Sequence, residues 1–359
     1  MLHALKYVFY SIAFLTSISY VYSQTSDSIS SSSTVIKISR LLDSADIKSA
    51  NRLLRRYLKK NPESVMALKQ QARLYKMMQK PQKALETWNT IGFLKPDDYD
   101  RIKNTAVLLY DLNEYKRCLL VIDSACKIAE NEHVKDAEVY YYRALFNRKN
   151  KNLHHILLDC EMAETIDSNF IPSHILKAEI RFERMQYDLC VTEYDIALKL
   201  MAQSDTNFSI LKNRAKALFE YGNAARAALD WTLYLRKYPQ DIEARISRAA
   251  SYIRCGQFNS AISDLNLALQ QNPENSVIYD YRGTAKAEMG QFKEGLKDLD
   301  YAIKLKFNYA PHYVNRAAIK LALKQPHEAC EDLEKAEQLG SNIAYKYIQR
   351  YCQAQGLVK

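Results

Sequence analysis

The side chains best suited to chemistry recur at one fixed spacing along this 359-residue chain. In five places an arginine is followed sixteen residues later by an aspartate, and Lys177 with Glu193 repeats the arrangement. A lone carboxylate is not an acid–base pair, so this regular recurrence argues against catalysis. We instead predict partly buried ion pairs between two helices, bidentate where arginine is used. These structural pairs are Arg143–Asp159, Arg214–Asp230, Arg248–Asp264, Arg282–Asp298 and Arg316–Asp332.

Histidine, a frequent metal ligand, forms no ligand set in this sequence. The one cluster is His154-His155. Adjacent residues on a helix diverge by about 100°, so these two rings make a poor metal pair. The chain also lacks a Walker loop, a Gly-rich dinucleotide turn, an HExxH helix and a nucleophile elbow. We therefore expect no catalytic residue, no metal and no cofactor.

The seven cysteines contain no CxxC pair. Cys118 and Cys190 occupy positions where other repeats have alanine, and Cys160 fills a gap between helices, so we predict buried thiols at all three. Cys330 is placed on the last second helix and Cys352 on a final helix packed against it. For this pair both a disulfide and two free thiols stay open.

The elements that must position these side chains are short amphipathic helices repeated with a period of 34 residues. Each window contains two such helices separated by a turn. Two of the eight intervals are longer, 38 and 37 residues, and we place the extra residues in polar loops near 131–136 and 202–206. The nine windows open at Ser31, Val65, Tyr99, Ala137, Ile171, Phe208, Ile242, Ser276 and Ala310.

Small residues recur at the eighth and twentieth positions of these windows. Ile38 departs at the eighth position and Ile156 at the twentieth. The others are Ala72, Ala106, Ala144, Ala178, Ala215, Ala249, Gly283 and Ala317, then Ala50, Ala84, Cys118, Cys190, Ala227, Ala261, Gly295 and Ala329.

This pattern resembles the tetratricopeptide repeat family, whose unit is a 34-residue helix–turn–helix. The resemblance implies an all-α fold, a right-handed α-solenoid of nine tandem repeats over residues 31–343. It implies a capping helix over 344–359, because an open array must cover its last apolar face. It also implies binding rather than catalysis, with partner segments in a concave groove lined by the first helix of each repeat. We expect a non-enzymatic protein–protein interaction scaffold; the alternatives are a chaperone-like peptide binder and an accessory of an envelope enzyme.

The N-terminal residues predict export. Lys6 precedes an apolar stretch over Tyr7–Tyr22, and Ser23 suits a cleavage site. We interpret 1–23 as a signal peptide and 24–30 as a Ser-rich disordered tether, with a retained anchor as the alternative. The mature chain is then periplasmic or extracellular, which disfavours nucleic acid as a partner.

The net charge of +10 is concentrated near the start of the array. Ser31–Asp98 contains 14 Lys and Arg against 6 Asp and Glu. Five cations crowd one outer helix face, which is either a solvated surface or a peripheral docking site for an anionic surface such as a membrane. They are Arg52, Arg55, Arg56, Lys59 and Lys60.

Positions at helical spacing on the first helices define the predicted groove. We expect its N-terminal half to bind an acidic segment by charge attraction and aromatic contact; the alternative is that these charges only solvate the groove. Lys212 and Asn213 resemble part of a family carboxylate clamp, but Lys216 stands where a further Asn is needed. The groove residues are Lys69, Arg73, Lys76, Lys103, Asn104, Tyr110, Tyr141, Arg148, Lys212, Asn213 and Lys216. Mostly acidic positions follow at Glu179, Glu183, Glu243, Asp280 and Glu288.

Overall fold

The computed structural model describes residues 33–149, 153–201 and 208–353, and within these ranges it contains helices and turns but no strand. The predicted all-α fold of helix–turn–helix repeats is confirmed. The first ten helices are α1 (33–43), α2 (Ile47–Lys60), α3 (Val65–Met77), α4 (Pro81–Leu94), α5 (Tyr99–Asp111), α6 (Tyr115–Asn131), α7 (Ala137–Lys149), α8 (Leu153–Ile166), α9 (Ile171–Glu183) and α10 (Tyr187–Leu200). The remaining nine are α11 (Phe208–Tyr221), α12 (Ala224–Lys237), α13 (Ile242–Arg254), α14 (Phe258–Gln271), α15 (Ser276–Glu288), α16 (Phe292–Leu305), α17 (Ala310–Ala322), α18 (Pro326–Gln338) and α19 (Asn342–Tyr347).

The chain divides into two compact units, Met1–Ser173 and His174–Lys359, here called unit 1 and unit 2. Odd-numbered helices from α3 to α17 are the first helices of repeats, and each begins at the residue that opens a window. Each packs against the even-numbered second helix that follows it. In unit 1 the cores join Leu54 with Leu74, and Ile122 with Val139, so apolar clusters run from one repeat into the next.

Side chains just before the windows explain where several first helices start. The side chains of Ser64, Asp98, Asp241 and Asn275 accept hydrogen bonds from backbone N–H groups in the first turns of α3, α5, α13 and α15. These bonds satisfy donors that have no partner inside the helix. Such residues are therefore local start signals that recur with the repeat.

A left-handed residue reverses the chain between the two helices of a repeat. Glycine provides it at Gly222, Gly256 and Gly290, with φ between 75° and 95°. Other repeats force a non-glycine residue into the same conformation, with φ of 57° at Gln79 and 59° at Met185. The turn geometry is therefore conserved between repeats even where the sequence lacks the residue that suits it.

The small residues lie where two helices of a repeat cross. The eighth- and twentieth-position alanines of the repeats are at most 1% exposed. The helices α15 and α16 cross closely, because a Cβ added to Gly283 would lie 2.8 Å from the carbonyl oxygen of Gly295. Ile38 and Ile156, which break the small-residue pattern, are also fully buried at 0% exposure. These positions are therefore interior whether the residue is small or branched.

The C-terminal end of unit 2 is covered by α19 and a single π-helical turn over Ile348–Cys352. Ala344 and Ile348 pack on Leu333 of α18, and Cys352 forms a disulfide with Cys330, with Cα atoms 5.8 Å apart. The covering segment is thus α-helical only at first and continues as a π turn.

The proposed signal peptide and tether lie outside the described residues, as do the last residues of the proposed cap, 354–359. In the described ranges, no helix is both long and apolar enough to cross a membrane.

Candidate functional site

The arginine–aspartate pairs connect the two helices of a repeat. Arg214 Nε and Nη2 donate to the two carboxylate oxygens of Asp230 at 2.8 and 2.7 Å. The same bidentate arrangement links Arg248 to Asp264, Arg282 to Asp298 and Arg316 to Asp332. The four aspartate side chains are at most 8% exposed. These carboxylates are therefore held by guanidinium groups inside the repeat.

The first of the five pairs is geometrically different. Arg143 Nε and Nη2 both donate to Oδ1 of Asp159, and Oδ2 is buried without a hydrogen-bond partner. Burial raises the pKa of Asp159, although the hydrogen bond and charge of Arg143 oppose this shift. In unit 2 the corresponding Glu193 contacts Lys177 Nζ at 3.0 Å and Arg181 Nη1 at 2.8 Å.

Each arginine also reaches back to the second helix of the preceding repeat, a contact that the sequence analysis missed. Arg214 Nη1 lies 2.6 Å from Asp195, and Arg316 Nη1 lies 2.8 Å from Asp300. Arg282 Nη1 donates to Asn266 at 2.8 Å. The sequence contains a pattern that predicts this contact. Each of these acceptor residues stands two positions after the acid that forms the ion pair of the preceding repeat. One guanidinium therefore links three helices.

Several predicted groove cations are also paired inside unit 1. Lys69 Nζ lies 2.9 Å from Asp98 and 2.7 Å from Asp100. Lys103 Nζ lies 2.7 Å from Asp136, the residue that precedes the next first helix. Burial acts to raise the pKa of Asp136, but the hydrogen bond and charge of Lys103 outweigh it and hold that pKa below the usual value. These lysines therefore connect successive repeats.

A cavity of about 620 Å³ lies on the first-helix face of unit 1. Arg73 Nη2 makes a 2.7 Å ion pair with Asp43 across exposed side chains, so this contact is readily exchanged. No ion pair is found for Lys76 in the described part of the chain. Asn104 donates from Nδ2 to the carbonyl oxygen of Asp100 at 2.7 Å. The lining includes Lys69, Gln70, Arg73, Lys76, Trp88 and Asn104.

The predicted aromatic groove residues belong to ring clusters. Tyr110 stacks on Phe146 with ring centroids 4.6 Å apart, and Tyr141 meets Phe170 edge-on at 5.6 Å. Both tyrosines are half-buried, and so is Arg148. Tyr110, Tyr141 and Arg148 do not line the 620 Å³ cavity.

In unit 2 the predicted groove residues Lys212, Asn213 and Lys216 do not share one environment. Lys212 Nζ lies 3.1 Å from Asp241, which caps the next first helix, and 5.3 Å from the centroid of the Tyr234 ring. Asn213 is half-buried beside it. Lys216 is exposed and lines a different feature, an apolar pocket.

This pocket of about 250 Å³ is the feature that sequence reasoning missed. First helices α9, α11, α13 and α15 contribute most of its lining, and Trp231 of α12 completes it. A signal was present, since Phe182 and Phe219 share the twelfth window position with Lys76, Tyr110 and Arg148. The lining residues are Phe182, Lys216, Phe219, Glu220, Trp231, Ile246, Ser247, Ala250 and Tyr281.

Three solved structures share this architecture. One is a tetratricopeptide repeat protein from Parabacteroides merdae, 18% identical over 70% of this chain and 97% of its own, with a TM-score of 0.50. PilW, a type IV pilus biogenesis factor, is 16% identical over 60% of this chain and 96% of its own, with a TM-score of 0.54. PilF of Pseudomonas aeruginosa is 16% identical over 60% and 95%, with a TM-score of 0.53.

The chain has the tetratricopeptide repeat (TPR) fold. No protein-family model matches the sequence, and no curated protein matches it significantly. The similarity therefore lies in the way that the helices pack.

One acidic residue that was predicted to line the groove is buried instead. Asp280 is buried, accepting from Asn315 Nδ2 at 2.7 Å and contacting His312 Nδ1 at 2.8 Å. Asp280 was predicted to face the groove, and this prediction was wrong because the next first helix covers it. Glu243, by contrast, is exposed.

The thiols are placed for packing rather than reactivity. Cys118, Cys160 and Cys190 are 0% exposed, as is Cys126. Burial raises the pKa of Cys118 to about 11 and that of Cys190 to about 12. A protonated, covered thiol is neither a nucleophile nor a good metal ligand. Cys118, Cys160 and Cys190 therefore pack as small apolar side chains.

Proposed function

We propose that this TPR chain is a non-enzymatic scaffold that binds a segment of a partner protein on its first-helix face. The observation that supports this best is the apolar pocket of unit 2, formed by four successive first helices. Its volume of about 250 Å³ is below the range of about 300–1,000 Å³ typical of small-molecule sites. It suits one large apolar side chain, and aromatic-lined pockets of this kind are common anchor points in protein interfaces.

Two charged residues beside this pocket can orient the bound partner. Lys216 and Glu220 stand one helical turn apart on α11, and both line the pocket. Lys216 can donate a hydrogen bond and Glu220 can accept one. Together they can bind the polar groups on either side of the partner's anchor side chain. Arg254 stacks over the Phe219 ring at 4.1 Å and donates to its carbonyl oxygen at 2.7 Å. Phe219 is thereby fixed before a partner arrives, which lowers the entropy cost of binding.

The cavity of unit 1 is the proposed site for an acidic segment. Lys76 has no ion pair in the described ranges, and Arg73 has one exposed partner, so these two cations are available to a carboxylate. Lys69 and Lys103 contribute less, because each already neutralises carboxylates of the array. The acidic-segment proposal therefore now rests on Arg73 and Lys76.

A chaperone-like peptide binder is the second candidate. The apolar lining of the unit 2 pocket favours it, because a pocket that binds one apolar side chain accepts many different peptide sequences. A scaffold that recognises one partner needs further contacts, which the unit 1 cavity offers. Peptide selection therefore separates the two functions: a scaffold enriches one motif, and a chaperone-like binder enriches any exposed aromatic or aliphatic residue.

The proposed setting is the periplasm or the extracellular space. The sequence of the leader supports it, and so does the disulfide between Cys330 and Cys352, because disulfides persist in oxidising compartments.

Phage-displayed random peptides selected on the chain beginning at Gln24 test the proposal. We expect the enriched peptides to share an aromatic or large aliphatic residue. Ser247→Phe fills the pocket and should weaken their binding at least tenfold, whereas Ser260→Phe, on the exposed face of α14, should not. Equal binding by both variants would place the site elsewhere.

The acidic contribution is tested separately. Arg73→Glu with Lys76→Glu should abolish binding of acidic peptides and leave the helical circular-dichroism signal unchanged. The matched control is Lys293→Glu with Lys297→Glu, which lowers the net charge by the same amount at exposed positions of α16 in unit 2. Loss of acidic-peptide binding in the control as well would show that only the net charge matters.

A further inference from the structure

We propose that an exposed face of α2 docks the protein on the surface of an anionic phospholipid bilayer. This basic face consists of six cations within a fourteen-residue helix that contains no Asp or Glu. At about 100° per residue they fall within an arc of about 140° of the helix surface. All six side chains are exposed. The basic face comprises Lys48, Arg52, Arg55, Arg56, Lys59 and Lys60.

Asp46 attracts Lys48 and Arg52 electrostatically, but the cations of the basic face form no direct ion pairs in the described ranges. Asp46 precedes the helix and accepts a hydrogen bond from the backbone N–H of Ser49, so it serves as the N-cap. This contrasts with Lys69 and Lys103 of the first helices, which each contact two carboxylates.

The opposite side of α2 holds the basic face in a fixed orientation. Ala50 and Leu54 are buried at 0% and 1% exposure, and Leu53 and Tyr57 pack against the same cluster. The helix therefore cannot rotate to hide its cations without exposing this core. The six charges are presented outward together.

An exposed apolar residue extends the basic face onto the next second helix. Phe93 of α4 stands 34 residues after Lys59, at the same repeat position, and is 89% exposed. Leu58 of α2 packs against the same apolar cluster that contains Trp88 of α4, so both helices border one core. Cations beside an exposed aromatic ring are typical of interfacial membrane contact, where the ring enters the headgroup boundary.

This composition fits a lipid surface better than an acidic protein. The fully buried centres of protein interfaces are depleted in charge, and lysine is depleted across interfaces in general. The basic face instead carries only cations along its whole length. Clusters of four to eight Lys and Arg on an amphipathic helix bind anionic headgroups by summed electrostatic attraction. Such binding needs no shape complementarity.

Vesicle co-sedimentation of the chain beginning at Gln24 tests the proposal, because this form lacks the apolar leader and keeps every described helix. Vesicles of phosphatidylcholine are compared with vesicles of equal parts phosphatidylcholine and phosphatidylglycerol. We expect binding to the anionic vesicles alone, weakening steeply as salt is added. Binding to neutral vesicles, or binding insensitive to salt, would overturn the proposal without any variant.

A charge-matched pair of variants then locates the surface. Arg52→Glu, Arg55→Glu and Lys59→Glu together should weaken vesicle binding at least tenfold. The control reverses three exposed lysines of α16, which lowers the net charge by the same amount but on a helix that also carries acids. Its changes are Lys293→Glu, Lys297→Glu and Lys304→Glu. The control should bind vesicles as the unaltered protein does.

The remaining outcomes are also decisive. Equal loss in the two triple variants would mean that net charge alone drives binding, and retention of binding in the α2 variant would exclude the basic face. Binding to poly-glutamate without binding to vesicles would assign the face to an acidic polypeptide and overturn the lipid proposal. Phe93→Ser should reduce vesicle binding by a smaller factor than the α2 triple variant.

Discussion

At the scale of single residues, the arginine–aspartate pairs differ in what remains when the arginine is removed. Asp298 also contacts Lys286 Nζ at 2.7 Å. Arg214 is the one cation in contact with Asp230 in the described ranges. Because a buried charge without a partner is costly, the two arginines are not equivalent.

We predict that Arg214→Ala destabilises the protein more than Arg282→Ala does. Losing a partner of a buried charged group costs about 1–3 kcal/mol. We place Arg214→Ala near the upper end of that range, and Arg282→Ala near the lower end because Lys286 stays bound to Asp298. Urea unfolding followed by circular dichroism measures both.

A double-mutant cycle provides the control. Arg282→Ala combined with Asp298→Ala should cost less than the sum of the single changes, because each single change already loses the bond between these two side chains. Additive losses would mean that the two side chains contribute independently. Equal losses for Arg214→Ala and Arg282→Ala would contradict the compensating role of Lys286.

At the scale of elements, the turn within each repeat imposes a left-handed residue. Met185 adopts φ 59° immediately after the C-cap of α9 and is 75% exposed. Its side chain therefore adds little packing while its Cβ strains the turn. Glycine is favoured at this place after a helix because it has no Cβ.

We predict that Met185→Gly stabilises unit 2 by about 1 kcal/mol, by relieving this conformation. The matched control is Met289→Gly. Met289 stands one residue before the left-handed Gly290 and has an ordinary φ of −86°. Glycine gains nothing there and should destabilise slightly. Thermal unfolding of both variants decides the point, and a lower melting temperature for Met185→Gly would show that the turn is not strained.

The C-terminal covering segment gives a second prediction at this scale. Cys330 and Cys352 close a loop with a sequence separation of 22 residues. Chain entropy predicts that a loop of this length contributes about 3 kcal/mol. Replacing both cysteines by alanine should therefore lower the melting temperature and increase hydrogen exchange in α19.

The control for the disulfide is Cys255→Ala, at a half-exposed free thiol. It should change neither property. A reducing agent should reproduce the effect of the double replacement in the unaltered protein and have no further effect on the variant. Unchanged exchange in α19 after reduction would show that apolar packing on Leu333 alone holds the segment.

At the scale of the whole molecule, the predicted signal peptide and the disulfide both favour the proposed export. Residues 1–23 predict export, and a bond between Cys330 and Cys352 is stable only where thiols are oxidised. The two observations come from opposite ends of the chain and are independent.

We predict that the exported chain begins at Gln24. Mass analysis of the N-terminal peptide from an envelope or secreted fraction measures this, and the same digest reports whether Cys330 and Cys352 are joined. An intact Met1 in a cytosolic fraction, with both thiols free, would refute export. An intact Met1 in a membrane fraction would show the retained anchor.

The repeat period by itself determined the helix starts, the crossing positions and the acid that each arginine binds within its own repeat. These features depend on geometry inside one 34-residue unit, where spacing along the chain fixes which side chains share a face. Arg282 and Asp298, sixteen residues apart, meet for this reason. The starts of several first helices were readable because residues such as Asp98 and Asp241 cap them locally.

Only the tertiary structure decided which groove residues are available to a partner. Lys69 and Lys103 satisfied every sequence criterion for the groove, yet carboxylates at the start of the next repeat bind them. Asp280 is covered by the following first helix, and the apolar pocket of unit 2 forms from four helices that are distant in sequence. Spacing within one repeat does not specify these contacts, because they depend on how closely each repeat packs on the next.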